Sequence, residues 1–455
     1  MSSSIPTSRG LDAPKSKGRR TYRHLSLGEE ENDDDPLVQR DEDQGGNEPR
    51  LPRHDDDDED GHCITMDDAI ERLGVGPFQY RVLVCSGLCF AADGMQIVLL
   101  SFLTLVLQKE WSLSDEATAA LTSTLFAGAM LGTLVLGPLA DTRGRRPVFL
   151  LAAAVISGFG FLLAVVNHYV AVAVAIFGVG IGIGGLTVPF DILAEFLPAE
   201  HRGTHLLLIE YFWTVGCLYV VGVAYVTLHY LGTWRGFVAL SALPSLAALI
   251  AGYLYVPESA RWLHSQGKTD EALEILKLAA GENGCDVHFL YPDQIVLQPE
   301  EDEVESTCTD LFLPKWRGIT LRLWGAWMGF AFGYYGAIMA TTRVFSTSSD
   351  SSDSTEDFDY GAIFISSFAE VVGTTLVILV IDRWGRIPLQ VVSYSVAGIA
   401  LALLCMLAGG SSSFSSARLP LVSLGFTTRV FEMVRSISVR RSLVYSIIAN
   451  AVDYF

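Results

Sequence analysis

Charge is scarce in this chain. Only 18% of its 455 residues are Asp, Glu, Lys or Arg, against about a quarter in an ordinary soluble domain. Paired cysteines are missing too. The seven, at 63, 85, 89, 217, 285, 308 and 405, make no C-x-x-C pair, so neither a zinc site nor a disulfide framework is signalled. Cys85 and Cys89 share a helix face and read as small apolar packing residues. Nine scattered histidines show no metal-ligand spacing, and no nucleophile–base set is visible. No enzyme, metal, cofactor or nucleic-acid partner is therefore expected. A cleavable signal peptide is not expected either, because the first apolar run begins only near Val82 and is too long.

What the chain does have is apolar length. Half of its residues are hydrophobic, and they gather in runs such as Val82–Leu107, Pro147–Val166 and Val170–Phe190. A run of roughly 18 residues crosses a hydrocarbon core as a helix. About nine such runs are present, near 82–107, 118–140, 147–166, 169–190, 205–230, 236–256, 319–342, 361–381 and 387–408. This predicts an all-α multi-pass membrane protein embedded in a lipid bilayer. The net charge of −20 is concentrated between Glu29 and Asp68, with an acid run Asp55–Asp60. Residues 1–75 therefore read as a disordered acidic tail, a calcium-binding or partner-binding tail being the minor alternative. Residues 257–318 form a second polar stretch, with Glu258, Arg261, Lys268, Asp270 and a short helical pattern at Thr269–Ala279.

Basic residues in the short loops orient the chain. Arg143, Arg145 and Arg146 lie between the second and third runs, and Arg383 and Arg386 between the eighth and ninth. The loops on the other side, 108–117 and 346–360, are acidic or neutral. The positive-inside rule puts the tail and the 257–318 linker in the cytoplasm. The two basic loops are also copies of one pattern: Asp141-Thr-Arg143-Gly144-Arg145-Arg146-Pro147 and Asp382-Arg383-Trp-Gly385-Arg386-Ile-Pro388. The chain thus divides into a six-helix half (76–256), a linker, and the first three helices of a second, incomplete half (319–409). Such repeats are common in secondary transporters.

These motifs resemble the major facilitator superfamily. Gly137 to Pro147 is similar to its signature loop, and Pro257-Glu258-Ser-Ala-Arg261-Trp-Leu to the motif that ends the first half in sugar porters and organic-ion carriers. Pro189 with Glu195, Pro198, Arg202 and Gly203 resembles the loop motif after the fourth helix. Gly74–Gln79, Ala92-Asp93-Gly94-Met95-Gln96, Glu210-Tyr-Phe-Trp213, Tyr334-Tyr335-Gly336 and Ala369-Glu370 resemble the synaptic-vesicle-protein-two-related branch, which includes nicotinate and organic-cation carriers. The resemblance implies two six-helix halves and alternating access. It further implies an ion-pair latch made by Asp191, Glu195, Arg202, Glu258 and Arg261, and a pairing of Asp141 with Arg145 that faces helix eleven. Asp382 would face the start of helix five in the same way. Three departures stand out: Gln96 where relatives often carry Glu, Ile176 where the superfamily has a basic residue, and unreadable helices ten to twelve. Residues 410–455 read as irregular, and arginines at 418, 429, 435, 440 and 441 break the charge rule. A truncated or frame-shifted chain after about Phe426 is expected.

Asp93 falls near the middle of the first helix, where an ionised carboxylate costs at least about 2.5–3.5 kcal/mol. Either it meets a cation or proton in a cavity, or it makes a structural hydrogen bond to a neighbouring helix. Glu370 is the second such carboxylate. Gln96, Trp213, Tyr334 and Tyr335 join them as candidate substrate or coupling residues, lining a cavity or simply packing. Phe212, Trp324 and Trp327 belong to the same aromatic set. Glu210 reads equally well as a charge at a helix start. The glycines at 178, 180, 182, 184 and 185 predict close helix contact. The expected function is secondary transport of a small organic solute, cationic, nicotinate-like or sugar-like, with proton coupling open, by a monomer in the plasma, vesicle or vacuole membrane. A receptor built on the same fold is the alternative.

Overall fold

The computed structural model describes residues 63–292, 295–298, 311–347, 357–410 and 418–434. Eight of its helices are long and apolar enough to cross a membrane. They are α2 (Pro77–Glu110), α3 (Asp115–Arg143), α4 (Arg145–Val165), the pair α5 (Tyr169–Gly184) and α6 (Thr187–Glu195), α7 (Ala199–Ala224) with its π-helical extension Tyr225–Tyr230, the pair α8 (Trp234–Ser241) and α9 (Leu243–Tyr255), α14 (Tyr360–Trp384) and α15 (Arg386–Gly410). The ninth expected run is also helical, as α13 (Pro314–Val344). Tryptophans, tyrosines and five glycines dilute its apolar content below that of the others. A few helices start on a side-chain cap. Ser114, for example, accepts the Ala117 N–H at the start of α3, as expected for an N-cap serine.

Two tight turns carry the internal repeat into three dimensions. Gly144 alone separates α3 from α4, and Gly385 alone separates α14 from α15, with φ of 106° and 78°. Side chains rarely adopt that backbone region, so glycine is needed at both. The glycine stripe packs as expected. A Cβ at Gly180 would stand 2.2 Å from the Leu125 carbonyl oxygen, and one at Gly128 2.2 Å from that of Phe177. The α3 and α5 backbones therefore touch directly.

The end of the tail departs from the sequence expectation of disorder up to residue 75. Residues 63–73 are ordered. Strand β1 (Cys63–Ile64) pairs in parallel with β2 (Val296–Leu297), and α1 (Met66–Leu73) lies against α11 (Thr269–Glu282) in the linker. The reason is local. Thr65 caps α1 by accepting the Asp68 N–H, and Met66, Ala69, Ile70 and Leu73 form one buried stripe. Tyr291 donates to the Ala69 carbonyl at 2.6 Å. Asn283 accepts the Phe78 N–H at 3.0 Å and donates to Gln79 at 3.0 Å. The expected helical pattern at 269–279 is the core of α11, joined by α10 (Ala260–Ser265) and α12 (Val287–Leu290). Together these pieces clasp the chain before α2 to the linker. The acid run and residues 435–455 lie outside the described residues.

The second departure is at the C-terminus. Residues 418–434, expected to be irregular, form a helix, α16. It packs on α14 so closely that a Cβ at Gly373 would come within 2.6 Å of the Val430 carbonyl oxygen. Leu421, Thr428, Arg429, Glu432 and Met433 are buried on that side. Two arginines that seemed to break the charge rule are paired. Arg418 holds Asp359 at 2.6 Å, and Arg429 holds Glu370.

Candidate functional site

The helices alternate in direction, which gives the bundle a linker end and a far end. Midway between them a chain of buried polar groups crosses from the first half to the second. Trp213 on α7 donates its indole N–H to the Tyr334 hydroxyl on α13 at 2.6 Å. Tyr334 donates to Glu370 on α14 at 2.7 Å. Arg429 on α16 lies 3.3 Å from the same Glu370 oxygen and donates to the Ser367 hydroxyl at 3.2 Å. Relative exposures are 2% for Trp213 and Tyr334, 0% for Glu370 and 3% for Arg429. Bidentate, fully satisfied pairs are the usual way to bury an arginine. Here Glu370 Oε2 and Arg429 Nε make no hydrogen bond among the described residues, and Arg429 Nη1 meets Glu370 only through the 3.3 Å ion contact. Each such orphan costs about 1–3 kcal/mol.

Asp93 sits at the edge of this chain. It is half-buried, and its neighbour Gly94 lies under Trp213, where a Cβ would meet the Trp213 carbonyl oxygen at 2.7 Å. The Cys217 thiol on α7 donates to the Gly94 carbonyl at 3.5 Å and lies within electrostatic reach of both Asp93 and Glu370. The fold thus brings Asp93, Trp213, Tyr334 and Glu370 into one region. Gln96 is buried one turn further along α2. Tyr335 is half-buried and packs with its ring 5.0 Å from that of Phe126 of α3, tilted by 43°. Phe212 covers Gly87. Trp324 is 53% exposed and so takes no part in this region. Glu210 is 3% exposed and sits three turns inside α7, which starts at Ala199 rather than near 205. The helix-start reading therefore gives way to that of a buried carboxylate.

At the linker end the family motifs assemble differently from expectation. Arg145 binds Asp141 at 2.6 Å and Glu195 at 3.3 Å. Glu258 does not pair with Arg261. Its carboxylate accepts the backbone N–H groups of Arg145 and Arg146, at 2.9 and 3.0 Å, and so caps the exposed start of α4. Arg261 instead reaches Asp67 on α1, and Arg202 donates to the Leu197 carbonyl. Trp262 donates to the Asp141 carbonyl at 2.8 Å. Arg146 donates to the Tyr253 carbonyl, while Arg143 and Arg383 are exposed. A cavity of about 310 Å³ opens beside this cluster, lined by Gly137, Asp141, Arg145, Asp191 and Glu195. The side chains of Asp382 and Arg386 lie outside the described set.

The two halves also meet at their ends. At the far end Ser101 and Thr342 share a hydrogen bond of 2.9 Å, and Phe102 packs against Phe358 at 4.9 Å. At the linker end Leu207 of α7 packs with Val377, Leu389, Met433 and Val434. Arg429 is the residue that the sequence reading left out of the site. Its signal was the pair Arg429 and Glu432, three residues apart in the otherwise uncharged stretch 420–434.

Comparison with known proteins agrees with this architecture. The family model described as "Sugar (and other) transporter" matches residues 84–438. The Synaptic vesicle 2-related protein of Bos taurus is 32% identical over 362 residues, 76% of this chain and 65% of that protein. This chain therefore spans about two thirds of that relative's length. The Organic cation/carnitine transporter 7 of Arabidopsis thaliana is 33% identical over 366 residues, covering 71% of this chain and 72% of that one. Among solved structures, the partially occluded inward-open xylose transporter XylE from E. coli superimposes with a TM-score of 0.63 at 19% identity, over 82% of this chain and 89% of that one. At that identity the likeness speaks for the fold. The chain is an integral, multi-pass membrane protein belonging to the sugar (and other) transporter family of the major facilitator superfamily, in the branch of the synaptic-vesicle-2-related and organic cation/carnitine transporters.

Proposed function

We propose that this chain is a secondary carrier of a small organic solute, with its site between the two halves at the depth of Asp93 and Glu370. One observation supports this most directly: the hydrogen-bonded run Trp213–Tyr334–Glu370 joins the halves in mid-bundle. Carriers of this architecture bind at the interface of their repeats and rock the halves around it. Rocking the halves breaks and remakes those contacts, whereas the Arg145 cluster and Glu258 cap stay within one half and act as a latch. Asp93 and Glu370, carboxylates at mid-helix positions of α2 and α14, favour an organic cation over a nicotinate-like anion or a neutral sugar. Trp213, Tyr334 and Tyr335 supply aromatic faces suited to such a cation. Asp93, half-buried beside the crossing, is the group we assign to proton coupling. The basic loops favour a cytoplasmic linker and N-terminus by the positive-inside rule. The bovine relative's name favours a vesicle membrane.

The test is uptake into proteoliposomes of tetraethylammonium, nicotinate and xylose, with and without a pH gradient. Gradient-driven tetraethylammonium uptake that disappears in Asp93→Asn is the expected result. Uptake of none of the three sinks the carrier reading, and saturable binding without flux would make the protein a receptor. Unchanged uptake in Asp93→Asn sinks the site assignment.

A further inference from the structure

Three arginines at the linker end of the second half have no carboxylate set against them. Arg317 and Arg322 stand in the first turns of α13, and Arg383 lies two residues before the Gly385 turn into α15. All three are exposed. None makes an ion pair among the described residues. Neither α13 nor α15 contains an Asp or Glu. These two helices run side by side in the same direction, and the Tyr394 hydroxyl of α15 donates to the Ala326 carbonyl of α13 at 3.1 Å. Counted back from that contact at the same rise per residue, the Gly385 turn comes level with Arg317.

The uncharged stretch beyond them fixes their depth. Twenty uncharged residues separate Arg322 from Arg343, and as a helix they match the roughly 30 Å of a hydrocarbon core. Arg322 therefore lies at the edge of the hydrocarbon, and Arg317 just outside it. Arg317 also heads the stripe Leu321, Trp324, Met328 and Phe332, apolar and exposed at 53%, 53%, 75% and 86%. Trp324 and the exposed Trp384 fall at the depth where tryptophans gather in membrane proteins.

We infer that this edge of the second half is a headgroup site for an anionic phospholipid. The phosphodiester is held by Arg317 and Arg322, with Arg383 at the same level, and the acyl chains run along the Leu321–Phe332 stripe. Depth selects the partner. A soluble acidic protein cannot pass the headgroups to reach Arg322, whereas a lipid phosphodiester already lies there. Charge selects the lipid. With no carboxylate on α13 or α15, a net negative headgroup is favoured over phosphatidylcholine, which brings its own cation. The guanidinium fork is matched to phosphate oxygens.

Mass spectrometry of the full chain released from micelles holding equal amounts of phosphatidylglycerol and phosphatidylcholine tests this. Retention of phosphatidylglycerol at least tenfold above phosphatidylcholine is expected. Arg317→Gln and Arg322→Gln should each lower that preference about fivefold. Arg235→Gln, at the far end of the first half, should leave it unchanged, and an equal loss there would reduce the effect to net charge. Equal retention of the two lipids by the unmodified chain overturns the site, however the variants fold. It would leave these arginines to the acidic residues 300–305 of the linker. A preference that survives both α13 substitutions also overturns it. No transport is measured, so the result stands apart from the carrier reading.

Discussion

The pairs Glu370–Arg429 and Asp141–Arg145 use the same chemistry in opposite surroundings. The first is sealed between α14 and α16, at 0% and 3% side-chain exposure. The second lies at the linker end, where Asp141 is 65% exposed. Exposed pairs contribute little, about 0–1 kcal/mol, because water competes for both charges. A buried pair carries a large desolvation cost, and removing one partner leaves a charge with no solvent to turn to. The Asp141 pair can therefore break and reform with modest energy, as a latch must. The Glu370 pair can change only by exchanging partners.

The largest effect expected is on the buried pair. Glu370→Gln takes from Arg429 its paired carboxylate and should destabilise the protein by about 3 kcal/mol, read as a drop of roughly 4 °C in the thermal unfolding of purified protein. Asp141→Asn should shift that midpoint by no more than about 1 °C. Equal shifts would abolish the contrast between the two pairs. Next is Gly180→Val, whose branch point would drive into the Leu125 carbonyl and force α3 from α5, costing about 1–3 kcal/mol. Tyr291→Phe removes the buried hydrogen bond that ties α1 to the linker through the Ala69 carbonyl and should cost about 1 kcal/mol. Its signature is faster hydrogen exchange across 66–73 with the membrane helices unaffected.

The smallest effect belongs to Asp359 at the far end. Partial burial pushes its carboxyl up, but hydrogen bonds from Arg418 and from the Ala362 N–H, with the guanidinium charge, outweigh that and hold it below the usual carboxylate range. A carboxyl depressed in the folded state adds stability that is complete above its unfolded value near 3.9 and is lost as the pH falls through the folded value. Asp359→Asn should therefore lower the unfolding midpoint slightly at pH 6 and leave it unchanged at the acid end. A constant difference across the range would disprove the linkage.

The spans and the motif loops were legible in sequence because each depends on a short stretch of chain: eighteen apolar residues, or Asp141 four residues before Arg145. Gly144 and Gly385 could likewise be matched by their place in a repeated pattern. Glu258 was legible as a motif residue but not as a cap for α4, since the N–H groups that donate to it lie more than a hundred residues away. The helix 418–434 was lost for a related reason. Its arginines look foreign to a membrane until Asp359 and Glu370 are set beside them.

Apolar run length settled that this chain crosses a bilayer, because a helix inside lipid must satisfy its own backbone and hide its polarity along its own length, and the repeated basic loop settled that it does so in two related halves. They also settled which carboxylates would be costly to bury. Only the tertiary structure decided what compensates them. A buried charge is stabilised by whatever neighbouring helices place within a few ångströms, and that distance is fixed by packing, which no local stretch of sequence specifies.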